Sequence, residues 1–346
     1  MIDFRYHLVS IVAVFLALAI GIVLGSTSEL RNGALDLLQQ SSNTLKDNLN
    51  AANAEKQALQ AQAGAEEQFL QTAEPHLLAK LLQGDSVVIV AEPGAQGSVV
   101  DGVKQAVTLA GATVTGEVTL QPTFNDISGA TQANLSGINS QVASAEGVVP
   151  GNATNPQTAY QQQAAQLIAA AILAKTGAQP GAAPTEAQTI LSAYAQAGYL
   201  TVSPSGAPTG TAQLAVLVTP QTAPADGPND PANQVLLAVA QEFAGASSAT
   251  VVAGGTAGSA QSGSAMSVLR SSSVSGQVSS VDDADLTLGQ ITVVQALAAQ
   301  LAGQKPNSYG ISGASAVSPS PLPTPTATTT PTVTPPTTTT RKAGKK

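Results

Sequence analysis

The sequence contains no cysteine, only two histidines and two methionines, and few aromatic side chains, 3% of 346 residues. Without cysteine there is no disulfide framework, no zinc knuckle and no reactive thiol. That absence suits an exported chain and a cytosolic one equally, and leaves the compartment open. The shortage of aromatics means that any core must be built from Ala, Val, Leu and Ile. Charged residues are also scarce, at 10%, and their balance is acidic, with a net charge of −8. Between Lys104 and Arg270 the one basic residue is Lys175, whereas Glu117, Asp126, Glu146, Glu186, Asp226, Asp230 and Glu242 are acidic. Such a surface repels phosphate backbones and attracts cations, which excludes nucleic acid as a partner of this region.

Catalytic constellations are missing too. Histidine occurs only at His7 and His76, and neither is set for a Ser-His-Asp triad. His7, beside Arg5 and Tyr6, fits a membrane edge, and His76, just past Pro75, fits a helix start. There is no Walker A sequence. The chain is therefore not expected to be an enzyme, and no cofactor is implied.

What is present begins at the amino terminus. From Leu8 to Leu24 there is no charge, and only Ser10 and Gly21 interrupt the apolar run. Its length, about 17 residues, is at the lower limit for crossing roughly 30 Å of hydrocarbon. A secretory signal would have a basic start and a small-x-small cleavage site. Here Asp3 offsets Arg5, and Val23-Leu24-Gly25 is a poor site because Val is bulky. The run reads as a retained single-pass anchor, with a cleaved signal and a buried core helix as alternatives. The short leader and the long acidic remainder favour the amino terminus inside and the bulk extracytoplasmic, in the cell envelope.

A heptad pattern follows. One position reads Leu35, Ser42, Leu49, Lys56, Ala63, Leu70; its partner reads Leu38, Leu45, Ala52, Leu59, Glu66, Ala73. Leu35, Leu38, Leu45, Leu49 and Leu59 make a coiled-coil seam, and a homo-oligomer through this stalk is expected. The competing reading is an amphipathic helix folded against its own domain. Pro75 is expected to interrupt the helix, with "HLLAKLLQG" adding about two turns that close at Gly84.

From Asp85 strands and helices alternate. "SVVIVAEPG", an apolar run ending in turn residues, "TVTGEVTL", "AQLAVLVTP", "ATVVAGG" and "GQVSSVDD" read as strands, separated by patterns such as "SVVDGVKQAVTLAGA", "AYQQQAAQLIAAAILAKTG" and "LGQITVVQALAAQLAG". This predicts a doubly wound, mostly parallel α/β domain. Three strands are continuously apolar, as when helices cover both faces of a sheet. They are too short for a transmembrane barrel. The remaining "SPSPLPTPTATTTPTVTPPTTTT" and its basic tip, Arg341, Lys342, Lys345 and Lys346, read as a disordered tail. The boundaries are thus 1–28 for the anchor, 29–83 for the stalk, 84–311 for the α/β domain and 312–346 for the tail.

Two clusters are candidate sites. Gly254, Gly255 and Gly258 lie in a strand-to-helix turn that could cradle a phosphate, or could simply be tight. Asp282, Asp283 and Asp285 gather at a strand end, where carboxylates suit a hard cation; alternatively, one of them caps the helix that begins at "LTLGQ".

The opening "MIDFRYHLVSIVAVFLALAIGIVLG", the heptads, "AGATVTGEVTL" and "VDDADLTLGQITVVQALAAQLAGQKPNSYG" resemble the actinobacterial family typified by the mycobacterial copper transport protein B, from Met1 to about Gly310. The resemblance implies a membrane-associated envelope protein of copper homeostasis, a channel or efflux component. The residues themselves do not describe a copper carrier. Cu(I) prefers thiolate and thioether ligands, and the only methionines are Met1 and Met266. Copper would be handled through carboxylates and backbone oxygens, or by a partner. An oligomeric scaffold without a copper role and an anchored nucleotide-binding enzyme are the other readings.

Overall fold

The computed structural model describes residues 4–25, 28–147, 150–175, 184–203 and 208–324. The chain divides into two compact units, Met1–Glu66 and Glu67–Lys346.

In the first unit, α1 spans Phe4–Gly25. Its 22 residues extend about 33 Å at roughly 1.5 Å each, enough to cross the hydrocarbon of a bilayer. Tyr6–Gly25, with mean hydropathy 2.9, is the one stretch among the described residues long and apolar enough to do so. It is apolar all round and exposed along its length, and a helix of that kind is at home in lipid. Helix α2 spans Ser28–Leu78. Leu35, Leu38, Leu45, Leu49 and Leu59 are each at least 53% exposed.

Pro75 lies inside α2 rather than ending it. A proline removes the hydrogen bond to the carbonyl four residues earlier. The helix runs on for one more turn, which is held by Leu78, fully buried. The chain then turns through Lys80 and Gly84, both with positive φ. Leu70, at the last heptad position of its row, packs against the core of the second unit with Leu78, Leu81 and Leu82.

The second unit is built on a sheet. Its elements in order are β1 (Ser86–Ala91), α3 (Gly97–Leu109), β2 (Thr113–Leu120), α4 (Gly129–Glu146), α5 (Ala159–Ile172), α6 (Pro184–Gln196), β3 (Leu200–Val202), β4 (Leu214–Val218), α7 (Pro231–Ala246), β5 (Ala249–Ala253), α8 (Thr256–Ser259), α9 (Ala265–Ser271), β6 (Ser279–Val281), α10 (Thr287–Leu301) and β7 (Ser308–Tyr309). The strand order is β3-β2-β1-β4-β5-β6-β7. All pairings are parallel except β2 with β3.

Strand alternation sorts the apolar residues onto two faces. Val87, Ile89, Ala91, Leu214, Val216 and Val218 join one core with α3, α10 and the end of α2. Val88, Val90, Ala215 and Leu217 join the other with α4 to α7 and α9. This is why β1, β4 and β5 are almost continuously apolar and buried. Helix α4 and the short strands β3 and β7 were not expected from the sequence. The first residues of the expected tail are tied to β7: Gly310 N donates to Ala316 O at 3.0 Å, and Ala316 N to Ser308 O at 3.2 Å. The greater part of the tail, 325–346 with its basic tip, lies outside the described residues.

Candidate functional site

The parallel strands end along one edge of the sheet, and each following residue continues the ladder. Glu92 N donates to Val218 O at 2.9 Å, Thr219 N to Ala253 O at 2.8 Å, Gly254 N to Val281 O at 2.8 Å, and Asp282 N to Tyr309 O at 3.3 Å. This edge therefore gathers Glu92, Thr219, Gly254 and Asp282. The strand order reverses between β1 and β4, where open α/β sheets leave a crevice beyond the strand ends.

Asp282 is fully buried and its carboxylate is fully used. Arg270 Nη1 lies 2.7 Å from Oδ2, and the amides of Ile311 and Ser312 donate to the same carboxylate. Arg270 spends its other donors on Ser280 Oγ, Tyr309 O and Ser312 O. The pair fastens α9 to β6 and to the chain after β7. Gly310, at φ +124, fits because any Cβ there would collide with the Asp282 carboxylate.

Asp285 points elsewhere. Its carboxylate accepts from Thr256 N at 2.8 Å and from Thr256 Oγ1, at the start of α8. The amide that a phosphate would take in the Gly254–Gly258 turn is thus held by an internal carboxylate. The glycines serve close packing: a Cβ on Gly258 would meet the carbonyls of Pro220 and Gln221 at 2.8 Å, and one on Gly254 would meet Thr219 Oγ1 and Ser259 Oγ at 2.7 Å. The helix α10, expected to be capped by one of these aspartates, is served by Glu67 instead, which accepts from the amide and hydroxyl of Thr287. A carboxylate at a helix amino terminus meets both its free amides and its dipole.

Asp283 is buried with neither carboxylate oxygen partnered. Burial and, second, the Asp282 charge push its carboxyl up to about 6. The sequence thus brings Asp282, Asp283 and Asp285 together along the chain, but the fold gives the first and third separate partners. Among the described residues, no group of three or more His, Cys, Asp or Glu side chains is placed to hold a metal ion. Met266 is buried in the core shared with α4 to α7 and α9, and His76 is exposed on the last turn of α2. With one thioether and no thiolate, a soft-metal site has no ligand set here.

Unmatched polar atoms also line a cavity at the crevice between β1 and β4. A cavity of about 200 Å³ lies there, lined among others by Glu92, Asn125, Pro220 and Asn233. Glu92 is only 2% exposed, and its Oε1 has no hydrogen-bond partner; nor has Asn125 Oδ1. Burial pushes the Glu92 carboxyl up to about 8, against a lowering hydrogen bond from the Asn125 side chain. Sequence reasoning passed over Glu92, Asn125, Arg270 and Glu67. Glu92 carried a signal, being a lone charge directly after a continuously apolar strand and before Pro93-Gly94. Asn125, Arg270 and Glu67 had none, since their partners are distant in sequence.

Fold and strand-edge chemistry define a mixed α/β protein with one amino-terminal candidate span and a mostly parallel sheet. At its strand ends the Arg270–Asp282 ion pair and the Asp285–Thr256 cap are internal, while Glu92 and Asp283 keep unpartnered carboxylate oxygens. The family model described as "Copper transport outer membrane protein, MctB" matches residues 1–319. The chain is 32% identical over 324 residues to the protein named Copper transporter MctB of Mycobacterium tuberculosis, covering 92% of this chain and 98% of that one. It is 29% identical over 325 residues to the Mycobacterium leprae protein of the same name, covering 92% and 99%. The chain belongs to the MctB family.

Proposed function

We propose that this protein serves copper homeostasis as a component of the cell envelope: a single-pass anchor, a self-associating coiled-coil stalk and a doubly wound α/β domain outside the cytoplasm. The carrying observation is that the family match runs through α1, α2 and the whole sheet together. The relatives that share this length are named copper transporters. The copper role is indirect, because the chain offers Cu(I) a single buried thioether in its domain. The protein acts by binding and assembly rather than by catalysis. Its acidic surface, with a net charge of −8, would concentrate cations without selecting copper.

The test is a deletion strain grown across a copper series. Raised cell-associated copper and lowered copper tolerance, both restored by the intact gene, are expected. Unchanged copper content would remove the copper role and leave an envelope scaffold. Intact mass of the membrane-extracted protein tests the anchor, and should include residues 4–25. A mature chain beginning after Gly25 would show a cleaved signal.

A further inference from the structure

The crevice between the carboxyl ends of β1 and β4 combines three features found together nowhere else among the described residues. It is a cavity, it sits where the strand order reverses, and two buried acceptors on its wall are unmatched. Unmatched buried polar atoms cost about 1–3 kcal/mol each, and here two of them share the wall of one cavity, where a bound group can reach both. We propose that this cavity binds a small primary ammonium compound, with Glu92 and Asn125 accepting its N–H groups.

The chemistry of the wall selects this class. The lining side chains include one acid and two amides, and no lysine, arginine or histidine. An anion would find no counter-charge. Three backbone donors around the mouth are already committed: Gln221 N to Gly94 O, Ala223 N to Gln261 Oε1, and Ala232 N to Asp230 Oδ1. The amide of Asn233 is likewise spent on the carbonyls of Gly227 and Gly263. What is left over is acceptor capacity at Glu92 Oε1 and Asn125 Oδ1, which a donor-rich cation matches. A divalent metal fits less well, since one carboxylate and neutral amide oxygens are a thin set for it. The volume, about 200 Å³, is that of about seven waters at roughly 30 Å³ each. Pro93, Pro220, Leu236 and Ala265 give the rest of the wall an apolar character, so the ammonium should sit on a short hydrocarbon stem. Glu92 is the one titratable side chain in the lining, and ion pairing with the ligand would ionise it.

The probe is n-butylammonium chloride, titrated into the full chain in detergent by calorimetry in two amine-free buffers of unequal ionisation heat. Saturable binding with release of about one proton per ligand at pH 7 is expected. n-Butanol, with the stem but no charge, and tetramethylammonium, with the charge but no N–H, should not compete. Glu92→Gln should weaken binding at least tenfold, about 1.4 kcal/mol, and Asn125→Ala should weaken it independently if the first variant does not fold. No saturable binding, equal affinity in both variants, or displacement of the probe by tetramethylammonium or Mg²⁺ would overturn the assignment. The copper phenotype of a deletion strain is unaffected by either result.

Discussion

Arg270 and Asp282 meet in a buried ion pair of 2.7 Å, with the carboxylate completely enclosed and the guanidinium side chain 13% exposed. Arg270 also donates to Ser280 Oγ, Tyr309 O and Ser312 O, and the two amides after Gly310 complete the carboxylate. Such a pair is expensive to break from one side, because the other charge stays in a dry site.

Arg270→Met should therefore lower unfolding stability by about 3–5 kcal/mol. The double variant Arg270→Met with Asp282→Asn should recover part of that loss. Urea denaturation of both variants checks this. A loss under about 1 kcal/mol would mean that the amides of Ile311 and Ser312 satisfy Asp282 without the arginine.

Glu92 and Asp283 make stability fall with rising pH. Both are raised in the folded state, Glu92 from 4.5 to about 8 and Asp283 from 3.8 to about 6. Between those limits the folded chain holds protons that the unfolded chain has released, so each unit of pH removes stability. The slope approaches about 1.4 kcal/mol per pH unit for each group. Glu92→Gln should be close to the parent at pH 5 and more stable at pH 8, by urea midpoint. An unchanged slope in the variant would place Glu92 in contact with water.

Leu38 and Leu45 are exposed in the single chain, at 68% and 67%. If they bury one another between copies, replacing both with Asp should give monomers by light scattering while the circular dichroism of the α/β domain persists. An unchanged mass would show that the stalk does not set the assembly.

The detergent-solubilised protein should not hold Cu(I) tightly. A chelator competition under reducing conditions should show weak, salt-sensitive affinity shared with other cations. One stoichiometric Cu(I), lost on Met266→Ala, would make copper binding a direct property of the domain.

The central strands could be read from the sequence because they are dry on both faces, so "VVIVA" and "LAVLV" are apolar throughout and "ATVVA" is interrupted only by buried Thr250. Helix α4 could not. Its apolar anchors are few, Leu135 and Val142 among them, and its buried centre is Asn139, which accepts from Tyr194 Oη at 2.8 Å and donates to Tyr160 O at 2.8 Å. Strand β7 has two residues and exists only because Ser280 and Val281 pair with it. The aspartate cluster shows the deeper limit. Adjacent carboxylates suggest a shared ligand, yet Asp282 is taken by an arginine twelve positions earlier and Asp285 by a threonine twenty-nine positions earlier. Composition identifies which groups need partners; only the fold assigns them.

Glu67 reaches Thr287, 220 residues along the chain, and just after it Leu70, Leu78, Leu81 and Leu82 feed the core shared with α3 and α10. The last turns of the long helix are therefore a wall of the α/β domain. A fragment cut at Asp85 would leave that core open to water on one side and the amino terminus of α10 without its carboxylate. The smallest piece able to fold by itself begins near Glu67, and a protease that clips the helix beyond that residue would loosen the sheet along with it.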